Sequence, residues 1–193
     1  MTALDYRFLL LALFLFLSNV VEAATGFGAT IIALTLAAHV YSIDFLVPVI
    51  VPLNLVVSAY IVLRHSSGVD KRILFTRILP LAGLGMPVGL FLFNTIDADS
   101  LKLAFGVFVL CFSTFELARL IRLKGKVTTK PLSAVKAAFW LVAGGIIHGL
   151  YASGGPMIVY YASRNLFNKR DFRSTLSGLW LILSIVLFAS HLY

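Results

Sequence analysis

Two ionisable side chains, Glu22 and His148, stand inside otherwise apolar stretches. A charge deep in a bilayer costs on the order of 3 kcal/mol or more, so such a group faces a cavity or a partner. An imidazole titrates near neutral pH, so a proton shared with a carboxylate would make Glu22 and His148 a proton-coupling pair. The plainer reading puts Glu22 near a membrane interface and makes His148 a hydrogen-bonded core residue. Each precedes a break in its run: Thr25-Gly26-Phe27-Gly28, followed by Ala29 and Thr30, and Ser153-Gly154-Gly155-Pro156. Glycine lets a ligand reach bare backbone. A helix that starts at such a break offers unpaired N–H groups and the positive end of its dipole. Gly26, Gly28, Gly154 and Gly155 are therefore candidate substrate-binding residues for an anion at two helix starts. Thr25, Thr30 and Ser153 would add hydroxyl donors, and Pro156 suits a first helical turn because its missing N–H costs nothing there. The same glycines also fit close helix packing, which is the preferred reading for Gly144, Gly145 and Gly149. Asn54, halfway along another apolar run between Pro52 and Ser58, offers an amide to a bound solute or to the first break. Tyr151, next to the second break, is expected to line the same cavity.

The elements that must carry these residues are membrane helices. Of the 193 residues, 60% are hydrophobic and only 12% charged, and the mean hydropathy is +0.99. A soluble domain is about half apolar and about a quarter charged. Six apolar runs follow one another: 8–38, 45–63, 73–93, 101–120, 137–162 and 176–193. About 20 apolar residues cross a bilayer. The net charge of +8 sits in short loops between the runs, as positive-inside bias requires, and forms no basic face for nucleic acid. Cys111 lies within a run, where buried packing is its expected role, and one cysteine makes no internal disulfide. Glu116 and Arg119 read as a surface ion pair. Zinc-protease, nucleophile-elbow and phosphate-loop motifs are absent, so no enzyme activity, cofactor or metal is expected.

The first and fifth runs carry the architecture. The span 8–38 holds 31 residues, roughly 46 Å as helix, which overshoots a hydrocarbon core of about 30 Å and is too short to cross twice. A re-entrant hairpin of two partial helices, its tip within the membrane, accounts for length and break together. Unwound backbone survives at that depth only beside protein or a water-filled cavity. A shift of 126 positions sets Gly28 on Gly154, Phe27 on Ser153 and Glu22 on His148, which reads as a weak internal repeat. Arg64, Lys71 and Arg72 follow the second run, and Arg119, Arg122, Lys124, Lys126 and Lys130 follow the fourth. Arg164, Lys169, Arg170 and Arg173 join them on the cytoplasmic side only if the fifth run turns back. The fold expected is all-α: a polytopic membrane helical bundle with inverted repeats and two broken or re-entrant hairpins. The first repeat covers 1–121, a basic cytoplasmic connector 122–136, and a second, incomplete repeat 137–193.

The ordered set Ala24-Thr25-Gly26-Phe27-Gly28, Pro52-Leu53-Asn54-Leu55-Val56, Arg64-His65, Val69-Asp70-Lys71-Arg72, Gly144 to Gly149, Ser153-Gly154-Gly155-Pro156 and Phe172-Arg173-Ser174-Thr175-Leu176 resembles the sulfite exporter TauE/SafE family over nearly the whole chain. The resemblance implies a multi-pass inner-membrane secondary transporter for a small anion such as sulfite or an organosulfonate. Against the family pattern the second half lacks the counterparts of runs three and four, as in a truncated product. A passive anion channel and an inactive structural membrane fragment are the alternatives. The expected partners are a small anionic solute and the lipid bilayer, with proton coupling and homo-oligomerisation as open options and nucleic acid excluded.

Overall fold

The structure, a computed structural model, describes residues 3–123 and 131–190. These form eight helices and no strands among the described residues: α1 Ala3–Thr25, α2 Ala29–Ala37, α3 Ile43–His65, α4 Lys71–Thr95, α5 Ala98–Leu123, α6 Ala134–Tyr151, α7 Gly155–Ala162 and α8 Lys169–Ser190. Six of them are long and apolar enough to cross a membrane. The short ones, α2 with 9 residues and α7 with 8, reach only about 12–14 Å. The chain is thus the all-α membrane bundle expected. Part of the basic connector lies outside the described residues.

Helix ends follow local chemistry. Asp70 caps α4 by accepting from the Ile73 N–H at 2.9 Å, and Asp97 caps α5 by accepting from the Ser100 N–H at 2.9 Å. That bond holds the Asp97 carboxyl below the usual aspartate range. Asp44 in the first turn of α3 and Arg64 in its last suit the ends of the helix dipole. Near its start α4 contains a widened turn over Leu74–Ile78, closed by Leu79 N–H donating to the Leu74 carbonyl. Pro80 follows directly, and a proline ring crowds the carbonyl four residues back, here Thr76, inside the wide turn.

Each short helix runs back along the long helix before it. Phe8, near the start of α1, lies 6.2 Å from Tyr41, beyond the end of α2. Trp140, near the start of α6, lies 4.5 Å from Tyr160, near the end of α7. The expectation of two partial helices in each hairpin is corrected, because the long limbs α1 and α6 are each continuous over a span length. Neither carries a proline, and α1 has no interior glycine, so nothing interrupts the backbone ladder before the tip.

Glycine sets the closest helix contact. Gly85 and Gly89 of α4 face Gly145 and Gly149 of α6, and a Cβ on any of the four would collide with opposing backbone. Small residues allow this approach in a membrane, where packing rather than water exclusion drives association. Helices α3 and α8 pack together; Ser58 of α3 and Ser174, Ser177 and Gly178 of α8 are buried. Large apolar side chains such as Phe16, Leu63, Leu84, Phe91 and Leu103 are exposed, as lipid-facing groups are. Helix α5 is the least covered, and its Cys111 is exposed, so the expected packing role fails. In place of a core thiol, the outward face of α5 presents it. Glu116 and Arg119 do pair.

Candidate functional site

Both hairpin tips end at one buried polar pocket of about 20 Å³. From the first hairpin come Glu22, Gly28 and Thr30. From the second come His148, Ala152, Ser153 and Gly155. Asn54 of α3 and Trp180 and Ser184 of α8 complete the wall. Asn54 is the middle residue of its 23-residue helix, which puts the pocket near mid-depth of the bundle.

The two tips close in the same way. Gly26 N–H donates to the Glu22 carbonyl at 2.6 Å, and Ala152 N–H donates to the His148 carbonyl at 2.7 Å. These pairs stand 126 positions apart. In each, the donor adopts a left-handed backbone, with φ of 88° at Gly26 and 51° at Ala152. Gly26 needs to be glycine twice over, because a Cβ there would also lie 2.9 Å from the Arg173 Cα. Ala152 holds an uncommon conformation for a residue with a side chain. Left-handed residues end α1 and α6, so the backbone turns and α2 and α7 can start at the pocket.

His148 is 2% exposed and Glu22 4%. The His148 Nδ1 accepts from the Gly154 N–H at 3.4 Å, which leaves Nε2 as the protonated nitrogen of the neutral ring. That Nε2 is buried without a partner. The backbone of Ala29 at the start of α2 faces the Glu22 carboxylate. Asn54 Nδ2 donates to the Thr30 hydroxyl at 2.7 Å, tying α3 to α2. This realises the contact to the first hairpin, while Asn54 Oδ1 remains unpartnered. No lysine or arginine lines the pocket, and its acidic residue is Glu22. The donors it offers are helix-start amides, hydroxyls and an imidazole N–H.

Trp180 is the wall residue that reaches both tips. Its indole Nε1 donates to the Gly26 carbonyl at 2.9 Å, and its ring stacks on His148 at 5.5 Å and 12°. Sequence reading singled out neither Trp180 nor Ser184 nor Ala152. Tryptophan types predict an interface, and no local signal marks a residue that meets the first tip only across 154 positions of chain.

Not every candidate residue joins the pocket. Thr25 is exposed, and its hydroxyl is taken up by the Val21 and Phe27 carbonyls, both at 2.8 Å. Gly26 turns its carbonyl to Trp180, and Gly154 packs against Gly144 and His148. Pro156 follows Gly155 in the first turn of α7 without lining the cavity. Tyr151 corrects an expectation. It is buried away from the pocket, its hydroxyl donating to the Leu101 carbonyl at 3.0 Å and its ring lying 5.1 Å from Phe105. The last helical turn of α6 points it at α5. Gly144, Gly145 and Gly149 are packing residues, as expected.

Comparison with protein families matches residues 10–193 to Sulfite exporter TauE/SafE. No curated protein and no solved structure matches the chain.

Proposed function

The chain belongs to the sulfite exporter TauE/SafE family, a family of membrane transporters for sulfur anions, and from that premise we propose a secondary transporter that carries sulfite, an organosulfonate or a related small anion through the pocket between the hairpin tips. The observation that carries this reading is the convergence of both broken segments on one polar cavity at mid-depth, with Gly28 and Gly155 on its wall. Amides at the start of α7, the Thr30, Ser153 and Ser184 hydroxyls and the His148 Nε2–H would donate to the oxyanion. The inner membrane is the location that goes with the positive-inside count of the loops.

A cavity of about 20 Å³ holds roughly one water. An oxyanion of four heavy atoms needs more room, so its passage requires the tips to part. A chamber this narrow favours alternating access over an open anion pore. Glu22 and His148 are the groups available to couple passage to protons. Residues 1–121 and 137–193 act as two inverted repeats, with tips that meet where such repeats place substrate.

Uptake of labelled sulfite and sulfonates into proteoliposomes tests the reading. At Gly155 the nearest atoms to an added Cβ are 3.9 Å away, on Phe27, so the backbone tolerates a Cβ there while the rest of a leucine obstructs the chamber. The variant is expected to lose at least about tenfold in flux, about 1.4 kcal/mol. Wild-type flux in Gly155→Leu would refute the site.

A further inference from the structure

A second polar cavity, of about 460 Å³, opens between the start of α4, the start of α6 and the end of α7. It shares no residue with the pocket between the tips. Arg72 and Arg77 of α4, Ala134 and Ala137 of α6, and Tyr161 of α7 line it. Five residues apart on a regular α-helix, two side chains diverge by roughly 140°. Arg77 lies within the widened turn over Leu74–Ile78, and both arginines line the one cavity. Widened turns of this kind recur at functional sites, and Pro80 keeps this one from relaxing. Among the described residues, neither guanidinium has an ion-pair or hydrogen-bond partner.

Three further features face the same space. Tyr161 is 7% exposed, and its hydroxyl has no hydrogen-bond partner although Arg77 lies close enough for its charge to act on it. Helix α6 starts without a side-chain cap, so the N–H groups of its first turn remain available. The acidic lining residue is Asp70, whose Oδ1 is committed to the Ile73 N–H. Two guanidiniums, a phenol O–H and a helix start make a donor set for a multivalent oxyanion. The cavity lies at a membrane boundary, because Lys71 and Ala134 begin two of the apolar spans. It is the boundary crowded with Arg64, Arg164, Lys169 and Arg170, where headgroup phosphates lie. Basic pockets between helices on that side bind anionic headgroups.

We propose that this cavity binds the phosphate of an anionic phospholipid headgroup, held by Arg72, Arg77, the Tyr161 hydroxyl and the amide end of α6. A lipid bound there bridges α4 to the long limb of the second hairpin.

Thermal unfolding of the purified full chain tests this in phosphatidylcholine nanodiscs with and without phosphatidylglycerol. The anionic lipid is expected to raise the wild-type Tm by several degrees. The double variant Arg72→Gln/Arg77→Gln is expected to lose most of that rise while keeping the wild-type Tm in phosphatidylcholine. Tyr161→Phe, which removes only a hydroxyl, should lose part of it. A third arm adds inorganic phosphate to the detergent-solubilised protein and should give a smaller shift. An undiminished rise in the double variant, or no rise in wild type, overturns the site. A phosphate shift as large as the lipid's overturns the lipid as its occupant.

Discussion

At the residue scale, the pocket works by what it withholds as much as by what it holds. His148 Nε2 and Asn54 Oδ1 are both buried and unpartnered at the pocket wall, a costly arrangement that a ligand or a water relieves. Trp180 closes this arrangement by bonding one tip and stacking on the other. Trp180→Phe keeps a ring and removes the N–H. The loss of one such bond, about 1 kcal/mol, should let the chamber open about fivefold more often. In a Cys111→Ser background, the rate at which a methanethiosulfonate reagent modifies Ser184→Cys reads this directly, and an unchanged rate argues against the latch. Glu22 is the carboxylate in the wall. If it carries the coupled proton, uptake rises as the pH on the proton-donating side falls, and Glu22→Gln should flatten that profile. A variant with wild-type pH dependence would assign the coupling elsewhere.

At the scale of elements, the α4–α6 crossing decides whether the second tip is held at all. Gly145 and Gly149 admit Ala82 and Met86 backbone on one side, while Gly85 and Gly89 admit Val142 and Ile146 backbone on the other. Gly145→Ala places a methyl against the Ala82 carbonyl, so the helices must separate. Overpacking of this kind costs about 1–3 kcal/mol, and the detergent-solubilised variant should unfold at a lower temperature than wild type. Gly106→Ala, in open space on α5, is the matched control and should unfold as wild type does. Equal Tm values for both variants would mean that the crossing carries little of the fold's stability.

At the scale of the whole molecule, two antiparallel hairpins return the chain to the side from which each began. The cluster of Lys169, Arg170 and Arg173 therefore lies on the side where α6 begins. A single cysteine at Lys169→Cys, in the Cys111→Ser background, should react with a membrane-impermeant maleimide from the cytoplasmic side of vesicles. Reaction only from the opposite side would invert the topology and sink the re-entrant reading of the second hairpin.

What the sequence determined by itself is the solvent and the punctuation. Apolar runs of span length and two breaks follow from residue types whose preferences act locally, and each reappears in the helices and tips described. Gly26 and Gly28 were legible as a turn for this reason, and Glu22 and His148, at a fixed offset, both line the pocket. Assignment of side chains to the pocket was not legible. Thr25, a hydroxyl beside a glycine, spends its hydrogen bond on its own helix, and Tyr151, adjacent to the tip, points away to Leu101. Trp180 and Ser184 enter from a helix far along the chain, and the face that α8 turns inward depends on its packing against α3 and on Arg173 meeting Gly26. Periodicity names a helix, but the rotation of that helix about its axis is fixed by neighbours in space. For this chain that rotation, a tertiary quantity, decided which polar groups share the chamber.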